Sequence, residues 1–362
     1  MTLLQGVTTP RPCRLLTVAL LLLTAGLTPA QEGRLGLFTD HTGIGAPKHD
    51  GVVARDAANG TYTIGGSGAN MWFRTDSFHF VWKKVEGNIA IEAAISFPQA
   101  GGNAHRKGLL MIRQTLDPDS AYADVALHGD GLTSLQFRET AGDVTHEVQT
   151  VIKNPKRLRL EKAGDYIYMS LAGDDGVLRP SGSSTRLLFK GPFYLGLGVC
   201  AHDENAFEIA EFSNVVVGPP STEVTKVRSS LEYVKIPSGD RVCVYPSREM
   251  ITAAVWAADG SLYFAQNNRG FQVPASGGPA VAADASVIPA GQPDSPSPDG
   301  KWTAAFEHQG GDAVLTLRPT AGGDTRALMR LPDQKDAPAA ISWSPDSTKI
   351  AYVRSRPALG AK

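Results

Sequence analysis

From Gly33 to Val217 short apolar runs rich in Val, Ile, Phe, Tyr and Leu alternate with polar positions, and Gly, Asn and Asp interrupt them at turn-like spacings. No stretch of this region keeps a helical period, so the pattern predicts an all-β sandwich or jelly roll. Chain reversals can be placed on their turn residues. Gly51–Asp56 and Thr61–Ile64 flank Asn59-Gly60, a dipeptide suited to the positive φ angles of tight hairpins. Phe78–Val85 and Ile89–Phe97 flank Glu86-Gly87-Asn88, Ala121–His128 and Leu132–Glu139 flank Gly129-Asp130-Gly131, and Arg157–Lys162 and Tyr166–Leu171 flank Gly164-Asp165. Each pair is expected to form a hairpin. Phe193–Val199 followed by Phe207–Val217 closes the region.

Gly218-Pro219-Pro220-Ser221-Thr222 marks a boundary, because paired prolines cannot continue a sheet ladder and the composition changes after them. The chain divides on this reading into residues 1–30, 31–219 and 220–362. Beyond the boundary one phrase recurs at Ala257-Ala258-Asp259-Gly260-Ser261-Leu262, Ser297-Pro298-Asp299-Gly300-Lys301-Trp302 and Ser344-Pro345-Asp346-Ser347-Thr348-Lys349-Ile350. The interval is close to one four-stranded propeller blade of roughly 40–50 residues. In each copy Pro or Ala precedes Asp, whose side chain is expected to cap the turn, and the next residue relaxes the dihedral before an apolar strand. Trp256 and Trp343 precede two of the copies. These residues build blades and need touch no ligand.

The repeated Ser-Pro-Asp phrase, over about Ser229 to Arg356, resembles the β-propellers of the TolB type found in the bacterial periplasm. The resemblance implies about three blades, whereas a ring closes with roughly four to eight. Completion by self-association or by an envelope protein is therefore expected. The upstream region resembles the concanavalin-like lectin and glucanase sandwiches, through Asn70-Met71-Trp72-Phe73, Phe78-His79-Phe80-Val81-Trp82-Lys83-Lys84, Asp119-Ser120-Ala121-Tyr122-Ala123-Asp124 and Ala210-Glu211-Phe212-Ser213-Asn214-Val215. That resemblance implies carbohydrate recognition or hydrolysis.

The N-terminus adds an address. Arg11 and Arg14 precede the apolar run Leu15–Leu23, which continues to Leu27 and ends in Thr28-Pro29-Ala30, the layout of a cleaved secretory signal. The run is short for a spanning helix of roughly 20 residues, and no other segment is longer, so no membrane span is expected after cleavage. An uncleaved anchor is the alternative. Cys13 precedes the run, which argues against lipid attachment. A periplasmic or secreted product is expected. The net charge of −1 becomes more negative without Arg11 and Arg14, so no nucleic-acid partner is expected. Cys200 and Cys243 remain, either as two buried thiols or as a bridge between the two regions.

Candidate chemistry is sparse. Glycosidases hold two carboxylates about 5–9 Å apart. Glu208 and Glu211 fall on opposite strand faces, and Asp174-Asp175 lies in a glycine-bounded turn. His146-Glu147-Val148-Gln149-Thr150 starts like a zinc-protease helix but has Thr where the second histidine belongs. No nucleophile elbow or phosphate loop occurs, and Asp117-Pro118-Asp119 lacks the remaining oxygens of a helical calcium loop, leaving only a sandwich-edge calcium open. No cofactor is expected. Period-two alternation places Arg113, Tyr122, Asp124, His128, Gln136 and Arg138 on one sheet face, and Ile112, Ala123, Val125, Leu127, Leu135 and Phe137 on the other. So polar a face is solvated or binds a ligand, with Tyr122 or Trp72 as a platform for a sugar ring and Trp82 assigned to the core. The leading expectation is an exported, non-catalytic protein whose sandwich binds carbohydrate or glycan and whose propeller segment contacts protein. A secreted sugar hydrolase using Asp124, His128 and Glu139 is the first alternative, and a Tol-related envelope scaffold the second.

Overall fold

The computed structural model describes residues 35–288, 294–331 and 341–356. The expected signal peptide, residues 1–30, and Cys13 lie outside the described residues. One sandwich sheet runs antiparallel in the order β1 (Asp40–Ile44), β6 (Phe78–Val85), β15 (Phe193–Cys200), β8 (Lys107–Arg113), β9 (Tyr122–His128), β10 (Thr133–Arg138), β11 (His146–Thr150). The facing sheet runs β14 (Leu178–Arg186), β13 (Tyr166–Ala172), β12 (Arg157–Ala163), β7 (Ile89–Ser96), β16 (Asp203–Gly218), β3 (Tyr62–Gly68), β2 (Val52–Arg55). A two-stranded ribbon, β4 (Met71–Trp72) with β5 (Thr75–Asp76), lies outside both.

Alternation makes the core. Leu110, Ile112, Ala123, Val125, Leu135 and Phe137 from the first sheet meet Ile91, Leu158, Leu160 and Phe212 from the second, all buried. Each such aliphatic or aromatic side chain contributes roughly 1.5–3 kcal/mol. Three of the expected hairpins pair as read: β2 with β3, β9 with β10, and β12 with β13. The fourth does not. Phe78–Val85 and Ile89–Phe97 reverse at Glu86-Gly87-Asn88, but β6 and β7 belong to opposite sheets. Val81 and Ile91 enter the same core from its two sides, so the reversal is used to cross the sandwich. Turn residues encode that the chain reverses, and packing decides which strand it pairs with.

The second half contains three four-stranded antiparallel units and, among the described residues, no closed barrel. One is β19 (Ile251–Trp256), β20 (Ser261–Gln266), β21 (Arg269–Pro274) and β22 (Val281–Ala283); another is β23 (Asp294–Pro296), β24 (Trp302–Gln309), β25 (Asp312–Pro319) and β26 (Arg326–Leu331). The third mixes beginning and end, in the order β18 (Arg241–Ser247), β17 (Ser229–Lys235), β28 (Lys349–Ser355), β27 (Ile341–Trp343). The last strands thus pair with the first strands of the second half. A buried network pins them: Arg241 Nη2 and Tyr352 Oη donate to Glu232 Oε2 at 2.7 and 2.6 Å. Burial alone pushes the Glu232 carboxyl up, but the charges of Arg241 and Arg354 and the hydrogen bonds from Tyr352 and Arg241 outweigh it and hold the pKa at about 2.

β18 also pairs in parallel with β11, Gln149 opposite Val242 and Thr150 opposite Cys243, so one sheet of 11 strands runs through both halves. Cys243 packs into the sandwich core. Gly182 makes room for it: φ there is +88°, and a Cβ would stand 2.5 Å from the Cys243 sulfur. Gly218-Pro219-Pro220 ends β16, yet the packing continues across it. Cys200 and Cys243 are both buried free thiols. No helix among the described residues is long and apolar enough to cross a membrane.

The recurrent phrase folds as its residues dictate. Asp259, Asp299 and Asp346 each accept the backbone N–H two positions on, at 2.9, 3.1 and 3.0 Å. Gly260 and Gly300 follow with φ of +81° and +71°, whereas the third copy carries Ser347 at +59°. Ser347→Gly relieves that conformation, worth roughly 0.5–1 kcal/mol, but removes the hydroxyl that accepts the Asp299 N–H at 3.1 Å, worth about as much, so the urea midpoint is expected to stay nearly unchanged; a shift of more than about 1 kcal/mol either way would contradict it. Glu232→Gln leaves Arg241 buried without its counter-ion and is expected to cost about 3–5 kcal/mol near neutral pH. Because the Glu232 pKa falls from 4.5 unfolded to about 2 folded, the unfolded chain takes up the proton first. The wild type therefore loses this advantage as the pH drops from 4.5 towards 2, and the gap to Glu232→Gln should narrow there in urea titrations.

Candidate ligand-binding cleft

The alternation that fills the sandwich core sends Arg113, Tyr122, Asp124, His128, Gln136 and Arg138 to the outer face of the same sheet, as the sequence predicts. The face is not solvated. All six are buried, with Arg113, Tyr122, Asp124 and Arg138 at 0% exposure. What covers one end of it is the β4–β5 ribbon.

That end is organised by Asp76 on β5. Arg138 donates to both its oxygens, Nη2 to Oδ1 at 2.8 Å and Nη1 to Oδ2 at 3.0 Å, and Arg113 Nη2 reaches Oδ2 at 3.4 Å. Most of the remaining donors go to backbone, Arg113 to the carbonyls of Thr115 and Asp117 and Arg138 to those of Phe73, Ser120 and Asp143, with Met111 Sδ and Thr145 Oγ1 taking one each. Burial pushes the Asp76 carboxyl up, and the two guanidiniums pull against it. Tyr122 donates to the Met71 carbonyl at 3.1 Å, and the Arg138 guanidinium lies over its ring at 5.0 Å. Arg113, Tyr122 and Arg138 are therefore committed within the fold. They hold the ribbon instead of facing a ligand, and Tyr122 offers no free ring to a sugar.

The ribbon delivers aromatic surface. Trp72 is half-buried against the cleft, and Phe73 at its tip is 68% exposed with φ of +58°. A bulky residue with positive φ is strained unless its surroundings fix it. Here the Phe73 carbonyl accepts from Arg138, from the Thr145 N–H at 2.8 Å and from Thr145 Oγ1 at 3.1 Å.

Beyond the ribbon the same face opens into a cleft of about 380 Å³ lined by Trp72, Lys107, His128, Gln136, Glu147 and Asp240. A second cavity of about 220 Å³ shares Trp72, Glu147 and Asp240 and adds Glu139 and the turn Ser238–Asp240. That turn joins β17 to β18. The parallel pairing of β18 with β11 thus makes the second half a wall of a groove whose floor is the sandwich.

The floor carries polar groups with no partner among the described residues: both carboxyl oxygens of Asp124, Nδ1 of His128 and Oε1 of Gln136. Gln136 Nε2 lies 3.3 Å from His128 Nε2, which as acceptor leaves Nδ1 carrying the proton. An N–H donor on His128 and a carbonyl acceptor on Gln136 thus lie buried in the floor. Burial lowers the His128 pKa to about 2, helped by Lys107, His105 and His202, so the ring is neutral. Burial pushes the Asp124 carboxyl well up, against the pull of Lys107. Burial also raises Glu147, a hydrogen bond from Gln149 opposes it, and the charge of Asp240 adds to it. At the rim the His105 ring meets His128 edge-on and His202 at a tilt, with ring centroids 5.9 and 5.3 Å away.

Of the expected site residues, Trp72, His128 and Gln136 line this cleft, Asp124 lies beneath it, and Arg113, Tyr122 and Arg138 do not reach it. Glu139 lines the adjoining cavity, away from Asp124 and His128. Glu147 and Gln149 were within reach of the alternation that places their neighbour Val148 in the core; Asp240 and His202 had no sequence signal linking them to the site. Glu208 is an ion-pair partner of Arg106 at 2.7 Å. Among the described residues no group of three or more His, Cys, Asp or Glu is arranged to hold a metal ion.

No protein-family model matches the chain, and no curated protein does. Among solved structures, a functionally unknown protein from Saccharomyces cerevisiae is 14% identical over 50% of this chain and 97% of its own, with a TM-score of 0.39. The Bacillus licheniformis β-glucanase is 11% identical over 47% and 82%, with a TM-score of 0.31. Domains LG4-5 of the mouse laminin α1 chain are 14% identical over 85% and 86%, with a TM-score of 0.24. Likeness at these scores carries no argument about what this chain binds.

Asp76→Asn removes the counter-charge of two buried guanidiniums and is expected to destabilise the chain by about 3–5 kcal/mol. It should also release the ribbon, seen as a red shift of tryptophan emission that Trp72→Phe eliminates. Unchanged stability in Asp76→Asn would overturn the structural role of the triad.

Proposed function

We propose that the chain is an exported glycan-binding protein and that the cleft beneath Trp72 is its binding site. The reading rests on the floor: a buried N–H donor on His128 and a buried carbonyl acceptor on Gln136, neither partnered among the described residues. A buried polar group left unpaired costs roughly 1–3 kcal/mol, so such a floor favours a ligand that brings both donors and acceptors. Sugar hydroxyls do both, and an indole beside them suits the C–H face of a pyranose. The neutral state of His128 fits an uncharged hydroxyl partner. The four-stranded units of the second half are read as propeller blades, and their outer strands as the protein-contacting part. The apolar run and Ala30 support export to the periplasm or beyond.

A hydrolase is the second reading. Asp124 and Glu147 flank Gln136 on strands two apart, about 9–10 Å between backbones, and both carboxyls are pushed towards the protonated state, which suits a general acid. Turnover of chromogenic glycosides, abolished in Glu147→Gln, would establish it.

Binding is tested with the full chain on a glycan array, followed by calorimetry on the saccharide retained. Trp72→Ala is expected to weaken that binding by about 2 kcal/mol or more, roughly thirtyfold. Absence of binding to neutral, acidic and amino polysaccharides alike would overturn the proposal.

A further inference from the structure

The cleft beneath Trp72 has a cationic end. Three neighbouring strands of the sandwich sheet, β15, β8 and β9, end or begin there, and they bring His202, His105 with Lys107, and His128 to its wall. Lys107 stands directly opposite His128, so the two share a face. The lysine is 2% exposed and forms no ion pair among the described residues. Its hydrogen bond runs to Asn70 Oδ1 at 2.9 Å, which leaves two N–H groups of the ammonium to be matched. The same oxygen accepts the Met71 N–H at 2.8 Å, so the amide is fixed with its nitrogen as a further donor beside the ammonium.

The acids around this end do not act as its counter-ion. Asp124, on the adjacent strand β9, has no partner for either oxygen, and burial pushes its carboxyl well up. Asp130 and Asp203, on the adjoining turns, accept the N–H groups of Leu132 and Asn205 at 3.0 and 2.9 Å, and Glu208 holds Arg106. Glu147 lines the other side of the cleft on β11, three strands from Lys107 and so about 14 Å away; it accepts from Gln149, and burial pushes it up. Asp240 lies beyond it on the β17–β18 turn. The charge of Lys107 is felt by the histidines instead: after burial, it is what pushes His128 and His202 towards their neutral forms. A buried ammonium with donors to spare and no counter-charge is costly to keep. A ligand that brings the anion removes that cost.

We infer that the ligand is an acidic saccharide whose carboxylate or sulfate ester is seated on Lys107 and Asn70, with His105 and His202 at the rim and the sugar ring continuing under Trp72. The inference rests on the glycan-binding reading and narrows it to anionic sugars. Both acid groups share one chemistry, a single negative charge spread over oxygens that accept several N–H donors, and the ammonium and the amide supply those donors. His105 is exposed and His202 half-buried, so the seat is approached from their side.

The test uses the full chain and hexasaccharides of hyaluronan, galacturonan, mannuronan and κ-carrageenan, each beside its carboxyl-reduced or desulfated form, first on an array and then by calorimetry on every pair retained. The acidic member of a retained pair is expected to bind about tenfold more tightly than its neutral form, and the identity of the pair separates carboxylate from sulfate. Lys107→Met keeps the apolar stem and should cut that advantage to about twofold or less. His105→Gln, at an exposed position that leaves the core untouched, should weaken the acidic member about threefold and its neutral form not at all. Equal affinity within every retained pair, or retention of neutral forms alone, would overturn the acidic assignment while leaving glycan binding in place. An undiminished advantage in Lys107→Met would overturn the seat. Failure of every hexasaccharide would overturn the acidic assignment if other glycans bind, and the underlying reading with it if none does. Oligoglutamate competing as tightly as the acidic hexasaccharide would overturn the saccharide assignment in favour of an acidic peptide.

Discussion

Asp76 lies wholly buried between two buried arginines, and the outer face of the sandwich is arranged around that contact. A carboxylate and two guanidiniums cannot be removed from water unless nearly every donor and acceptor is matched. Backbone carbonyls of Phe73, Thr115, Asp117, Ser120 and Asp143 do the matching, which draws the ribbon and the surrounding loops onto strands β8 and β10. The ribbon can then hold a strained Phe73 and project Trp72 over the cleft. The charge cluster is thus a brace, and the functional surface is what it holds in position.

A second constraint fixes the other wall. Glu232, Arg241 and Tyr352 tie the first strands of the second half to the last, and β18 continues the sandwich sheet through its parallel pairing with β11. The turn bearing Asp240 is therefore placed by two sheets at once. A groove built this way cannot be assigned to either half: its floor comes from β9 to β11, and its acidic end needs the β17–β18 turn.

The electrostatics of the groove follow from burial. Near the sandwich floor, desolvation keeps His128 neutral and pushes the Asp124 and Glu147 carboxyls up. Towards the second half Glu139, Glu147 and Asp240 share a cavity wall with Arg241 and Arg330.

The strand-rich architecture, most of its hairpins, the separation of core-facing from outward-facing residues, and the aspartate-capped turns of the second half are all written in the amino-acid pattern. These are properties of local periodicity and turn stereochemistry, legible because the period of two and the demand for positive φ act within a few residues. The pattern also placed Trp72, His128 and Gln136 together. That β6 and β7 lie in opposite sheets, that Arg113, Tyr122 and Arg138 brace a ribbon, and that Glu147 and Asp240 line one cavity emerges only from the folded packing. Each depends on which distant segment covers a face. Asp76 carries no signature separating it from any surface aspartate, and an arginine facing outward from a sheet looks the same whether it will meet a ligand or a carboxylate folded over it from another part of the chain.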